Sequence, residues 1–443
     1  MGKPDDFDPR LKSYLRRGAT TPPPAGFEAR VVAGARRRRS GWWLQVGAAA
    51  AVLVLAVGLG IAVQRARQSG GVTPTATPFA SPNVNPTPTP TPSGPYPLLP
   101  PVSLRMINAS TGWAAGSGTN RILRTADGGS HWDDAGPRGA QPGNWTTFFL
   151  DANNAWVASS LQPGSGSADY SVEIYRTADG GRTWQRTGTA MADAGWPAGL
   201  DFVDSRHGWL FMRLGAAAGS EGVAFYGTVD GGATWSKLSQ TDQSLASGDQ
   251  GHLPLGCSKV APVFLNASTG WLPGSCSAGG GPFLYVTRDG GRSWHNVALG
   301  SPVGWGPTCM CAITSLRFSD ARNGVFVLTS YASAPVPESV VYSTADGGGS
   351  WRPGPLLPAQ AYEVFFIDKS HGWTLNAKSN SLLSSSDGGQ HWSLAGPIPS
   401  TQGVMGFQFV TTEIGWATGS EPAGNTLIKT TDGGQTWTTQ LSP

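Results

Sequence analysis

Two apolar patterns divide the chain. From Trp42 to Val63 run 22 residues, WWLQVGAAAAVLVLAVGLGIAV, in which Gln45 is the one polar side chain. At 1.5 Å per residue a helix of that length reaches roughly 33 Å, enough to cross a bilayer core. Beyond residue 98 the apolar residues come instead in short runs. Clusters of Gly, Asp and Ser separate them, the pattern of short strands joined by tight turns.

The short runs repeat. A box of the form [Ser/Thr]-x-Asp-Gly-Gly-x-[Thr/Ser/His]-Trp occurs seven times, with its carboxylates at Asp127, Asp179, Asp230, Asp289, Asp346, Asp387 and Asp432. The gaps between them are 52, 51, 59, 57, 41 and 45 residues. A second motif, [Asp/Asn]-x-x-x-Gly-Trp, precedes each box. It begins at Asn108, Asp151, Asp204, Asn266, Asp320 and Asp368, with a degenerate copy at Thr411. Ala155 replaces the Gly of the second copy and Val325 the Trp of the fifth. Two residues before each start stands Phe149, Phe202, Phe264, Phe318, Phe366 or Phe409, with Met106 in the first repeat. The motifs cut each unit into four strands: one ending at the Phe, one carrying the Gly-Trp, one entering the box and one leaving from its Trp. Four strands at a period of 40–60 residues predict a β-propeller blade, and seven copies an all-β, seven-bladed propeller over residues 98–443.

In each box the carboxylate should cap backbone N–H groups, and the glycines should supply positive φ. The Ser/Thr before and the Trp after are expected to pack across the hairpin. This box resembles the Asp-box (BNR) repeat of sialidases, sortilin-type receptors and certain glucanases. The whole seven-fold pattern, with its Phe and Gly-Trp turns, is similar to the photosystem II assembly and stability factor family. That resemblance covers about three quarters of the chain. It implies a propeller whose boxes are structural turns, and a role in binding protein during assembly.

Composition and charge narrow the classes. Charged residues are 13% of the chain, while 62 Gly, 35 Pro and 18 Trp fit a turn-rich folded β protein rather than a helical or disordered one. Residues 1–67 hold 12 Lys/Arg against 4 Asp/Glu, and the remaining 376 hold 19 against 24. A mildly acidic propeller gives no nucleic-acid footprint. The positive charge includes Arg36, Arg37, Arg38 and Arg39, just ahead of the apolar run, with only Arg65 and Arg67 behind it. The positive-inside rule then predicts a cytoplasmic tail at 1–40, an uncleaved single-pass anchor at 41–64 with residues 42–63 in the membrane, and an extracytoplasmic propeller. Residues 65–97, rich in Thr and Pro, read as an extended linker holding the propeller clear of the membrane.

Candidate chemistry is sparse. Each box offers one carboxylate followed by glycines, too few oxygens for calcium, so neither metal nor cofactor is expected. The propeller's six Glu do not supply the arginine triad and Tyr–Glu pair of a sialidase. Nothing pairs Asp201 with Glu363 as inverting glycosidases require. Cys257, Cys276, Cys309 and Cys311, an even number outside the cytoplasm, point to two disulfides. Cys257–Cys276 with Cys309–Cys311 is one of three pairings, and a zinc cluster is the alternative. Trp145, Trp196, Trp305 and Tyr362 lie shortly before first strands and should gather at one end of the ring as a candidate binding face. The expectation is a membrane-anchored, monomeric, non-enzymatic propeller that binds a protein partner. The alternative is a surface protein that binds or cleaves glycans.

Overall fold

The computed structural model describes residues 101–442 except 117–120, 141–143, 161–171, 190–194, 218, 242–250, 277–280, 304, 306–309, 332–337, 359, 377, 401–402 and 423. The expected tail, anchor and linker, with Cys309, lie outside the described residues. Seven antiparallel sheets follow one another along the chain, each pairing its strands in sequence order. The first strands of blades 2 and 3, 3 and 4, 5 and 6, 6 and 7, and 7 and 1 touch one another, so the first strands ring the axis and the fourth strands form the rim. Blade 4 departs from the four-strand expectation: its first strand is split into Ser258–Lys259 and Val263–Phe264. Pro262 between them has no N–H to give the ladder.

The two sequence motifs explain how one blade recognises the next. In every blade the first residue of the Asp/Asn motif accepts hydrogen bonds from N–H groups two and three positions on. Asp204, for example, takes Arg206 and His207 at 2.7 Å each. In the degenerate copy the Thr411 hydroxyl does the same for Glu413 and Ile414. The Gly that follows lies against the aromatic residue of the preceding strand. A Cβ on Gly208 would stand 2.3 Å from the Phe202 ring, and one on Gly372 2.5 Å from Phe366. The Phe therefore uses the space a side chain would take. Its other face meets the Gly-Trp indole of the preceding blade, as in Trp156 on Phe202 (3.8 Å), Trp209 on Phe264 (3.6 Å) and Trp373 on Phe409 (3.9 Å). These buried rings hold the inter-blade cores, and stacking adds to their area term.

Closure repeats the same device. Trp416 of blade 7 packs with Met106 of blade 1 and donates to the Gly128 carbonyl at 3.0 Å. The Gln408 side chain caps the Met106 peptide on both sides, accepting from its N–H at 2.9 Å and donating to its carbonyl at 2.6 Å. An inner strand is a sheet edge, and this amide satisfies part of it. Since Thr438–Leu441 completes blade 7 and Pro101–Met106 opens blade 1, no blade is shared between the two chain ends.

Candidate functional site

The end of the ring that carries both motifs is built for rigidity. In each box the Ser/Thr hydroxyl donates to the Asp and accepts the N–H of the second Gly, as with Thr125 to Asp127 (3.0 Å) and from Gly129 (2.9 Å). One carboxylate oxygen then takes the N–H four residues on, and the other takes the side chain there: His131, Thr183, Thr234, Ser293, Ser350, His391 or Thr436. These bonds to the ionised form hold all seven carboxyls below their usual range, Asp127 and Asp432 at about 2. The first box Gly also donates to the turn of the other motif in its own blade, from Gly128 to Ser110 (2.7 Å) through Gly433 to Glu413 (2.8 Å). The box Trp differs from expectation. In four boxes its indole turns back to the second Gly carbonyl rather than crossing the hairpin, as Trp132 does to Gly129 at 3.0 Å. With every carboxylate oxygen so engaged, this belt is a scaffold.

The axis carries a second cluster. Arg105, Asp201 and Arg317 occupy the same register on the inner strands of blades 1, 3 and 5, and Arg105 feels both of the others electrostatically. Arg317 pairs with Glu363 at 3.3 Å and lies over the Phe365 ring at 4.6 Å. Burial pushes the Asp201 carboxyl up to about 7, against the pull of the Phe264 and Phe202 N–H groups and of Arg105. Glu363 is raised for the same reason, opposed by Arg317 and the Phe407 N–H. Asp201 is tied to the Phe264 N–H at 2.6 Å and Glu363 to Arg317, so each is committed to its own neighbours.

The four aromatic candidates separate. Trp145 is half-buried against the core between blades 1 and 2, and Trp305 packs on the core between blades 4 and 5. Trp196 and Tyr362 stay exposed, at 41% and 39%, on blades 3 and 6. Tyr362 has a neighbour that sequence reasoning missed: it stacks on Tyr331, with ring centroids 6.4 Å apart and planes 15° from parallel. Tyr331 in turn donates its N–H to the Met310 carbonyl at 2.8 Å, and both are about half exposed. All these positions begin first strands or end second strands, so they share the end of the ring opposite the boxes.

At that end of blade 4, beside blade 3, the cysteines matter. Cys257 and Cys276 form a disulfide, and Cys311 is disulfide-bonded as well. Beside the first bridge Lys259 is 1% exposed, and its ammonium donates to the carbonyls of Glu221, Leu255, Gly256 and Cys257 at 2.9–3.2 Å. Burial lowers its pKa to about 8 against the opposing field of Glu221. Glu221 accepts the Lys259 N–H at 2.6 Å and pairs with Arg213 at 3.1 Å. This lysine is not legible in the sequence, because nothing in its neighbourhood marks a buried cation. No group of three or more His, Cys, Asp or Glu placed to hold a metal occurs among the described residues.

Seven closed blades, stapled turns at one end and aromatic loops at the other define a seven-bladed β-propeller. No protein-family model matches the chain. Its sequence is similar to that of the photosystem II assembly lipoprotein Ycf48 of Synechococcus sp. (strain CC9902), 27% identical over 266 residues and covering 45% of this chain and 76% of that protein. The resemblance drawn from the motifs therefore has a counterpart in an aligned relative. Solved structures of like shape include YCF48 bound to D1 peptide, with a TM-score of 0.48, 16% identity and coverage of 78% of this chain and 96% of that one. Polysaccharide lyase Uly1 reaches a TM-score of 0.47 at 10% identity, over 77% of this chain and 91% of that one.

Proposed function

We propose that this chain is a membrane-anchored assembly factor, a propeller that binds a protein partner outside the cytoplasm and catalyses no reaction. Residues 42–63 hold it in the membrane, and residues 65–97 set its reach. The observation that carries the reading is the exposed patch of Met310, Tyr331 and Tyr362 on a closed ring, with Trp196 at the same end. Aromatic side chains on loops over a rigid scaffold give large contact area at small entropy cost, which is what interface anchors need. Similarity to an assembly lipoprotein supports the same role. Glycan cleavage gains no support from the axis, where Asp201 and Glu363 are each held by their own neighbours.

Copurification from native membranes tests this. Wild type should retain a defined membrane or extracytoplasmic protein, and a Trp196→Ala/Tyr331→Ala/Tyr362→Ala variant should lose at least about tenfold of it. Equal recovery with the variant, or release of sugar from uronate or xyloglucan polymers by wild type, would overturn the proposal.

A further inference from the structure

The tyrosine patch is held from behind and has unused donors. Tyr331 donates its N–H to the Met310 carbonyl at 2.8 Å, and the Tyr362 carbonyl accepts the Thr314 hydroxyl at 2.7 Å. The two rings stack 15° from parallel, and Met310, Tyr331 and Tyr362 are 51%, 46% and 39% exposed. Neither phenol hydroxyl has a hydrogen-bond partner among the described residues. Burial and the nearby Tyr362 raise the Tyr331 pKa, so that hydroxyl stays protonated and able to donate. The three side chains thus offer apolar surface and two donors, with no charge.

The chain itself carries an occupant of matching chemistry. The first strand of blade 1, Pro101–Met106, runs towards the box end, so the residues before it leave the ring at the end that carries the patch. Residues 86–97 there read PTPTPTPSGPYP, with six prolines and no charged side chain. Such a sequence favours the polyproline II helix, whose carbonyls make no internal hydrogen bonds and are open to outside donors. The first strand of blade 1 touches that of blade 7, which touches that of blade 6, where Tyr362 stands. Sheets pack about 10 Å apart face to face, so those two steps cover about 20 Å. The eleven residues from Pro90 to Pro100 extend about 34 Å as polyproline II, which is ample.

We infer that in the isolated protein the patch of Met310, Tyr331 and Tyr362 is occupied by this chain's own proline tract, residues 86–92, which a protein partner must displace. Proline rings lie on the tyrosine faces, and the phenol hydroxyls donate to tract carbonyls, the way aromatic grooves take proline-rich segments. The cost is small, because polyproline II is largely preformed and the tract is tethered at an effective concentration on the order of 1 mM. A contact of about 0.1 mM intrinsic affinity is then about nine-tenths occupied, and a partner's apparent affinity falls about tenfold. The displacement step rests on the proposed function above; the occupancy of the patch does not.

The test uses the purified full chain in detergent micelles with p-benzoylphenylalanine in place of Met310, irradiated and mapped by mass spectrometry. Adducts within one chain should join position 310 to residues 86–97. Pro86→Ser/Pro88→Ser/Pro90→Ser/Pro92→Ser should lower their yield at least about fivefold, and so should Tyr331→Ala/Tyr362→Ala. No adduct with 86–97, an undiminished yield in the proline variant, or adducts only between two chains overturns the inference. The same chains in native membranes separate it from the proposed function. There the proline variant should capture the protein partner about tenfold better than the unsubstituted tract. Within-chain adducts without any captured partner would uphold the occupancy and sink the proposed function, whereas partner capture without within-chain adducts would do the reverse.

Discussion

Replacing Gly208 with Ala tests the lock between motif and ring. Gly208 does not have positive φ, so the backbone accepts alanine, and loss of chain entropy in the unfolded state would by itself favour it by about 0.4–1 kcal/mol. Packing opposes this. The new Cβ would stand 2.3 Å from the Phe202 ring, whereas carbon atoms rest about 3.5–4.0 Å apart, so the ring must retreat by more than about 1 Å. It has little room: Phe202 is 2% exposed, stacked on Trp156 at 3.8 Å, with Trp235 edge-on at 6.1 Å. Overpacking costs about 1–3 kcal/mol, and part of a stacking term of about 0.5–1.5 kcal/mol goes with it. The net expectation is a loss of about 1–3 kcal/mol, read as a fall in Tm of about 1–4 °C by calorimetry of the full chain. Blade 2 supplies the natural comparison, because Ala155 stands at this position and Phe149 sits farther from its indole, at 5.4 Å. A Phe202→Leu change should make the alanine less costly, a non-additive pair. An unchanged or higher Tm for Gly208→Ala would refute the packing argument.

Three further outcomes are expected. The box carboxyls have depressed folded pKa values, so their stabilisation is complete above the unfolded value near 4 and is lost as pH falls through about 2; Tm should drop across that interval, and a flat profile would contradict the bonding described. Asp201 has the opposite sign: with its pKa raised to about 7, its contribution is complete below about pH 4 and is lost as pH rises through 7. The Tm of Asp201→Asn should therefore rise relative to wild type between pH 5 and pH 8, and a constant offset would count against the buried carboxyl. Lys259→Met should cost about 2–4 kcal/mol, because the buried Glu221 carbonyl and three part-buried ones lose their donor, and a near-neutral variant in denaturant titration would show that water replaces the ammonium.

The repeat motifs made the ring legible because each is a local hydrogen-bonding device. Asp204 or Thr430 needs only its own neighbours to fold its turn, so spacing sufficed to place it. The Gly before each Trp is harder to read: Gly208 is demanded by Phe202 six residues back, across a strand pair. Val325 reads as a lapse in the pattern, and only the structure shows that it packs in one buried core with Phe366 of the next blade. The aromatic candidates divided for a similar reason. Trp145 and Trp305 precede inner strands as Trp196 does, but loop packing, which no periodicity reports, buries them against the cores. Tyr331, at the end of a wholly buried strand, carried no mark of exposure in its own segment.

The central claim, that the aromatic end of the ring binds protein, is tested most directly by a photo-crosslinking amino acid at position 362 of the full chain, irradiated in native membranes. One membrane or extracytoplasmic polypeptide should dominate the adducts by mass spectrometry, and its yield should fall when Tyr331 is changed to Ala. Adducts with cell-wall glycan alone, or none with any polypeptide, would contradict the account.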